Sequence, residues 1–252
     1  MNGSPATLSS RELALVLLLL VPLGILFTAV PPIPQDPAYH LLADTRTCLG
    51  IPNFGNVFSN AAFLVIGFIG LRHCILHRVD GASRSWTLFF FGTLLVAFGS
   101  GYYHWSPDNV TLAWDRLPMT IAFMALFSAL IAEHVRPDIE RTLLRASIAI
   151  GILSVVWWRY TDDLRLYAWV QFGPMLVIVF LLFAYRGRYG HRVYLVWALA
   201  FYMLAKVAEF GDVAIYEITG NAISGHTLKH LLAAVAPYFV YVMLRERKAI
   251  SA

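Results

Sequence analysis

Three histidines carry the chemistry open to this chain. His226 and His230 form a His-x-x-x-His pair. Residues four apart share one face of a helix, so both imidazoles can address one ion. Ser100 and His104 repeat that spacing, and Asp115 follows them after a short connection. Three neutral histidines with an open fourth position are a known catalytic zinc arrangement, whereas structural zinc is closed by four protein ligands, commonly cysteines. Zinc in such a set would bring the pKa of a water towards neutrality and polarise a carbonyl. Asp115 suits proton transfer. Ser100 suits a hydrogen bond to a developing oxyanion or to the water.

Other polar residues compete for attention. His73 and His77 have the same spacing, but Arg72 and Arg78 flank them. Cationic neighbours disfavour a metal ion, so this pair is expected to be solvated. Lys206 and Glu209 lie three apart within an apolar stretch and are expected to neutralise each other inside the protein. Asp212 is either an acceptor for a ligand histidine's N–H or a solvated helix end. His40, in a Pro-rich segment, is expected to be solvated.

The elements that position these residues are membrane spans. Of 252 residues, 59% are apolar and 13% charged, against roughly half and a quarter in a soluble domain. A membrane helix needs roughly 20 mostly apolar residues. Eight stretches qualify: Leu13–Val30, Asn56–Leu76, Ser85–His104, Trp114–His134, Leu143–Trp158, Leu166–Tyr185, Val193–Phe210 and Thr227–Leu244. The fifth is the shortest. Continuous runs argue against barrel strands, which alternate apolar and polar residues. The first stretch reads as an uncleaved span, since no convincing small-residue cleavage site follows it. A net charge of +4 without a continuous basic face argues against nucleic acid as a partner. Cys48 and Cys74 fall on opposite sides of the membrane in this topology, so no disulfide between them is expected.

Arginine and lysine set the orientation. The amino end and the connections after spans two, four and six carry Arg11, Arg72, Arg78, Arg84, Arg136, Arg141, Arg145, Arg186, Arg188 and Arg192, and the tail carries Arg245, Arg247 and Lys248. Both termini are therefore expected in the cytoplasm. His104, Asp115 and His226 then fall at the opposite, non-cytoplasmic face, with Ser100 and His230 one turn deeper. In a bacterial host that means a site facing out of the cytoplasmic membrane.

At this point the residues resemble a family. Gly99-Ser100-Gly-Tyr-Tyr-His104 followed by Trp114-Asp115-Arg-Leu-Pro118-Met119 is similar to a signature of alkaline ceramidases. Ser224-Gly-His226-Thr-Leu-Lys-His230 resembles their last-helix motif, and Asn56-Val-Phe-Ser59-Asn60 the opening of their first core helix. The family belongs to the CREST superfamily of membrane hydrolases, which includes the progestin and adipoQ receptors. The resemblance implies an all-α integral membrane protein: one multi-spanning domain over 1–252, with a seven-helix core over 44–245 and an extra N-terminal span over 13–30. It implies a zinc-dependent amidase cleaving ceramide or a related N-acyl lipid drawn from the bilayer. His104, His226 and His230 would be the zinc ligands, Asp115 the acid/base group, and Ser100 the oxyanion or water partner. Animal members carry a carboxylate-rich calcium site before the first core helix. Here that stretch offers Asp44, Asn53 and Asn56, with Asn53 where a glutamate would be expected, which argues against calcium. In this the chain looks more like bacterial members. Two other classes stay open on the sequence: a seven-helix receptor or sensor with a structural zinc, and a transporter using Lys206, Glu209 and Asp212 as a relay.

Overall fold

A computed structural model describes residues 8–77, 79–185 and 189–250. Arg78, Arg186 and Arg188, used above for orientation, lie outside the described residues. The chain is helical, with isolated bridges at Cys48–Ile51 and Tyr189–Ala249 as the extended pairings among the described residues. The helices are α1 (Ser10–Thr28), α2 (Phe54–Phe58), α3 (Ala61–His77), α4 (Ser83–Trp105), α5 (Asn109–His134), α6 (Glu140–Thr161), α7 (Arg165–Ala184), α8 (Val193–Phe210), α9 (Asp212–Ile218) and α10 (Gly225–Glu246). Among the described residues, seven helical segments, with α2 and α3 taken together as one, are long and apolar enough to cross a bilayer. The remaining long helix is α6, the predicted fifth span. It proves longer than Leu143–Trp158, at 22 residues, or about 33 Å. Glu140, Arg141 and Arg159 at its ends leave it less apolar than the others. The architecture is thus an all-α membrane bundle of seven core helices with α1 added.

The predicted second span is broken. Residues Ser59 and Asn60 form a turn between α2 and α3. The Asn60 side chain donates to the Asn56 carbonyl at 2.8 Å, and Asn60 N–H turns to Val57 O. Asparagine side chains compete in this way with the helical ladder. Before the break, Asn56 of α2 meets the start of α10.

Helix α5 is central. Of its apolar window 72% is buried, against 6% for α1. Ala122, Ala125, Ala129 and Ala132 are all buried along it, and small residues let neighbouring helices approach closely in a membrane. Trp86, Phe90, Leu130 and Val177 fill the core around them. The outward faces carry large apolar side chains such as Leu17, Phe68, Phe98 and Phe183. In water such a surface would aggregate; lipid tails solvate it. Helix α1 docks on α7, where Trp169 Nε1 donates to Leu19 O at 3.0 Å.

Polar ties define the two ends of the bundle. At one end, Arg247 of the tail reaches Glu133 of α5 at 2.7 Å and the Asp80 carbonyl of the α3–α4 connection. At the other, the segment before α2 meets the α6–α7 connection, with Gln35 N donating to Asp162 at 3.0 Å. There Asp163 pairs with Arg165 at 2.8 Å, which holds its carboxyl down at about 2.

Candidate metal centre and catalytic site

Helix α10 starts where four polar side chains fix it. Ser224 caps it, accepting from Thr227 N at 3.0 Å. Asp212 Oδ1 accepts the His226 backbone N–H at 2.7 Å, and Asp212 Oδ2 accepts Ala43 N–H at 3.0 Å. Both caps meet the orphan amides that every helix start exposes. Asn56 Oδ1 accepts the Thr227 hydroxyl at 3.0 Å. Asp212 therefore serves His226 through its backbone and not its ring, which neither sequence alternative anticipated. Gly225 permits the contact: a Cβ there would lie 2.3 Å from Ala208 O and 2.6 Å from Asp212 Cα.

The fold brings His104 from α4 against His226 and His230 from α10. His104 Nε2 lies 3.2 Å from His230 Nε2 and 3.2 Å from His226 Nε2. All three rings are buried, and they form the metal-competent group found among the described residues. A tetrahedral zinc with Zn–N of 2.0–2.1 Å has an N···N edge of ~3.3 Å, so the donor set and its spacing fit such an ion. His230 is oriented from behind: its Nδ1 is 2.8 Å from the Ser59 hydroxyl. Asn53, at φ 48°, donates to the His104 carbonyl at 2.8 Å.

Ser100 and Asp115 are both buried and line the same cavity. Gly99 lets α4 approach α5 here. Its Cβ would fall 2.2 Å from the Trp114 carbonyl, the carbonyl that Pro118, lacking an N–H, leaves unpaired in α5. Helices α4 and α5 thus touch beside the site. Ser100 and Asp115 thus share a cavity with His230, the histidine that also meets His104.

Two other expectations change. Lys206 does pair with Glu209, but Glu209 also binds Lys229 at 2.8 Å and the Tyr39 hydroxyl at 3.1 Å. The cluster is cationic, and Lys229 Nζ stands 3.0 Å from His226 Nε2. Sequence reasoning passed over Lys229, though its place on the face of His226, one turn on, was a usable signal. His40 is half-buried rather than solvated, bonded to Tyr103 at 3.1 Å and Asn109 at 3.0 Å. In the stretch compared with a calcium site, the Asp44 carboxylate is taken by Arg46 at 2.8 Å on both oxygens, which holds it below the usual carboxylate range. His73 and His77 stack on each other at the bundle's far end.

A cavity of about 340 Å³ opens from Ser100, Asp115 and His230. It runs inward past Met119 and Thr93 to Phe89, Leu126 and Val240. From Ser100 to Phe89 along α4 is about 16 Å. Its polar groups gather near the histidines; its depth is apolar. Such a shape suits a lipid chain with its polar junction at the site.

A protein-family model described as Ceramidase matches residues 49–209. The match includes Ser100, His104 and Asp115 and stops before α10. No curated protein matches the chain.

Proposed function

The chain belongs to the ceramidase family, and from that premise we propose that it is a zinc-dependent lipid amide hydrolase, cleaving an N-acyl bond in ceramide or a related N-acyl lipid. The observation that carries the reading is the convergence of three buried histidine Nε2 atoms on the mouth of an apolar cavity that also exposes Asp115 and Ser100. His104, His226 and His230 would hold the ion. Zinc there would supply a water of lowered pKa and a Lewis acid for the amide carbonyl.

The chain's own residues do the rest. The cavity takes the acyl chain and excludes water from it. Asp115 takes the proton of the attacking water and delivers it to the departing amine. Ser100 donates to the oxygen that gains charge as the carbonyl is attacked. Ser59 accepts the Nδ1 proton of His230 and so leaves its Nε2 lone pair facing the ion. The excess of Arg and Lys that the sequence carries in the connections after spans two, four and six and in the tail supports a cytoplasmic location for both termini and a site near the opposite face. We read residues 44–245 as the working core of one membrane domain, with α1 an added span.

The test is direct. The protein is purified, its zinc measured, and fatty-acid release followed over a panel of N-acyl lipids. Release is expected from wild type, with Asp115→Asn retaining zinc but losing 10²–10⁴-fold in rate. A His226→Ala/His230→Ala variant is expected to lose the zinc. Zinc retained with no release from any lipid would leave a receptor or sensor as the better reading.

A further inference from the structure

Arg116 follows Asp115 on α5 and lines the same cavity. It is 6% exposed, and no carboxylate lies within ion-pair distance of it among the described residues. Its guanidinium is nonetheless held firmly. The Nη2 group donates to Gln35 Oε1 at 2.6 Å, and the plane stacks 4.0 Å from the Trp158 ring and 4.7 Å from the Tyr167 ring. Nη1 is buried with no partner. Stacking orients a guanidinium but does not neutralise it, and a buried charge without a counter-charge is costly. The neighbouring charges do not supply one: Asp115, Arg116, Lys206, Glu209 and Lys229 line the cavity, three cations against two carboxylates. Glu209 is already shared by both lysines.

We propose that Arg116 receives an anionic group on the amine side of the substrate, so that the amide cleaved is that of an acidic N-acyl lipid of the N-acyl amino acid type. This rests on the hydrolase reading above. A guanidinium with no carboxylate of its own and one unpartnered N–H group suits a carboxylate. The position beside Asp115, at the polar mouth, puts that carboxylate near the departing amine, while the acyl chain fills the apolar depth.

A matched pair of amides tests it: N-oleoylglycine, which carries the carboxylate, and N-oleoylethanolamine, which carries a hydroxyl instead. Wild type is expected to show a kcat/KM roughly tenfold or more higher for the glycine amide, as charge-assisted hydrogen bonds allow. Arg116→Gln is expected to shrink that ratio by about the same factor while keeping its zinc. Equal turnover of both amides, or preference for the ethanolamide, overturns the assignment and leaves the hydrolase reading standing; this comparison needs no variant. The anion could instead be the released fatty acid. In that case the two amides are turned over alike, oleate inhibits wild type, and Arg116→Gln escapes the inhibition, which also overturns the headgroup assignment. If neither amide is hydrolysed, the hydrolase reading is left to the wider lipid panel. Binding then decides the anion site by itself: tighter binding of the glycine amide, lost in Arg116→Gln, supports it, and equal binding of the two overturns it.

Discussion

The Ser59 hydroxyl lies 2.8 Å from His230 Nδ1 and donates its own proton to the Asn56 carbonyl at 3.1 Å. The direction of that chain fixes a tautomer. With its proton committed to a carbonyl, Ser59 can only accept from the ring, so His230 carries its hydrogen on Nδ1 and keeps Nε2 free to ligate. Ser59→Ala should fold normally and lose roughly 10–100-fold in zinc affinity, read by competition against a chelator. Unchanged affinity would mean the ring is oriented by packing alone.

The start of α10 should be intolerant of bulk. In Gly225→Ala the new methyl meets the Ala208 carbonyl and the Asp212 backbone, which are main chain and cannot swing aside. We expect a loss of roughly 1–3 kcal/mol, typical of overpacking, in thermal unfolding. The purified variant should also carry less zinc, because His226 is the next residue.

Lys229 should oppose an ion held by the three histidines. Its ammonium is 3.0 Å from His226 Nε2, and like charges at such range repel strongly away from bulk water. Lys229→Met should raise zinc affinity by on the order of tenfold. Weaker zinc retention in that variant would instead make the lysine, with Glu209, a support of the site.

The Asp163–Arg165 pair gives a pH signature outside the spans. Its carboxyl is held at about 2, below its ordinary value, so its contribution is complete above about pH 4 and fades as pH falls towards 2. Asp163→Asn should lower the melting temperature by a constant amount from pH 7 to about pH 4. The gap should then narrow on further acidification. A gap that widened in acid would contradict the pairing.

Much of this molecule is legible in its sequence because membrane spans and helical spacing are strong local signals. His226 and His230 declare one face of α10, and Arg136 or Arg192 mark a span's end, without any knowledge of the fold. Other features are invisible for a physical reason: they depend on contacts between distant segments. Ser59 is one polar residue among several, and only the turn at Asn60 brings it under His230. The breadth of the Glu209 cluster needed Tyr39 and Lys229 to arrive from elsewhere in the chain. Asp212 was legible as a polar helix end, yet which N–H it takes depends on how closely Gly225 lets α10 approach. Arg116 stood in plain view beside Asp115, but its lack of a partner could be seen only once Gln35, Trp158 and Tyr167 were in place.

The partition of the histidines has a consequence for how the protein matures. His104 and His226 are 122 residues apart, on α4 and on the final helix. Domains form from the amino end as the chain is synthesised, so α4 and α5 enter the bilayer with one imidazole, Asp115 and Ser100, and no means of gripping an ion. Only the arrival of α10 supplies the other two nitrogens, and the Arg247 tie at its far end locks it there. Metal binding by the three histidines would therefore report completed insertion. A chain stalled before residue 226 lacks two of the three histidines, and zinc capture by nascent chains of increasing length is expected to rise in one late step.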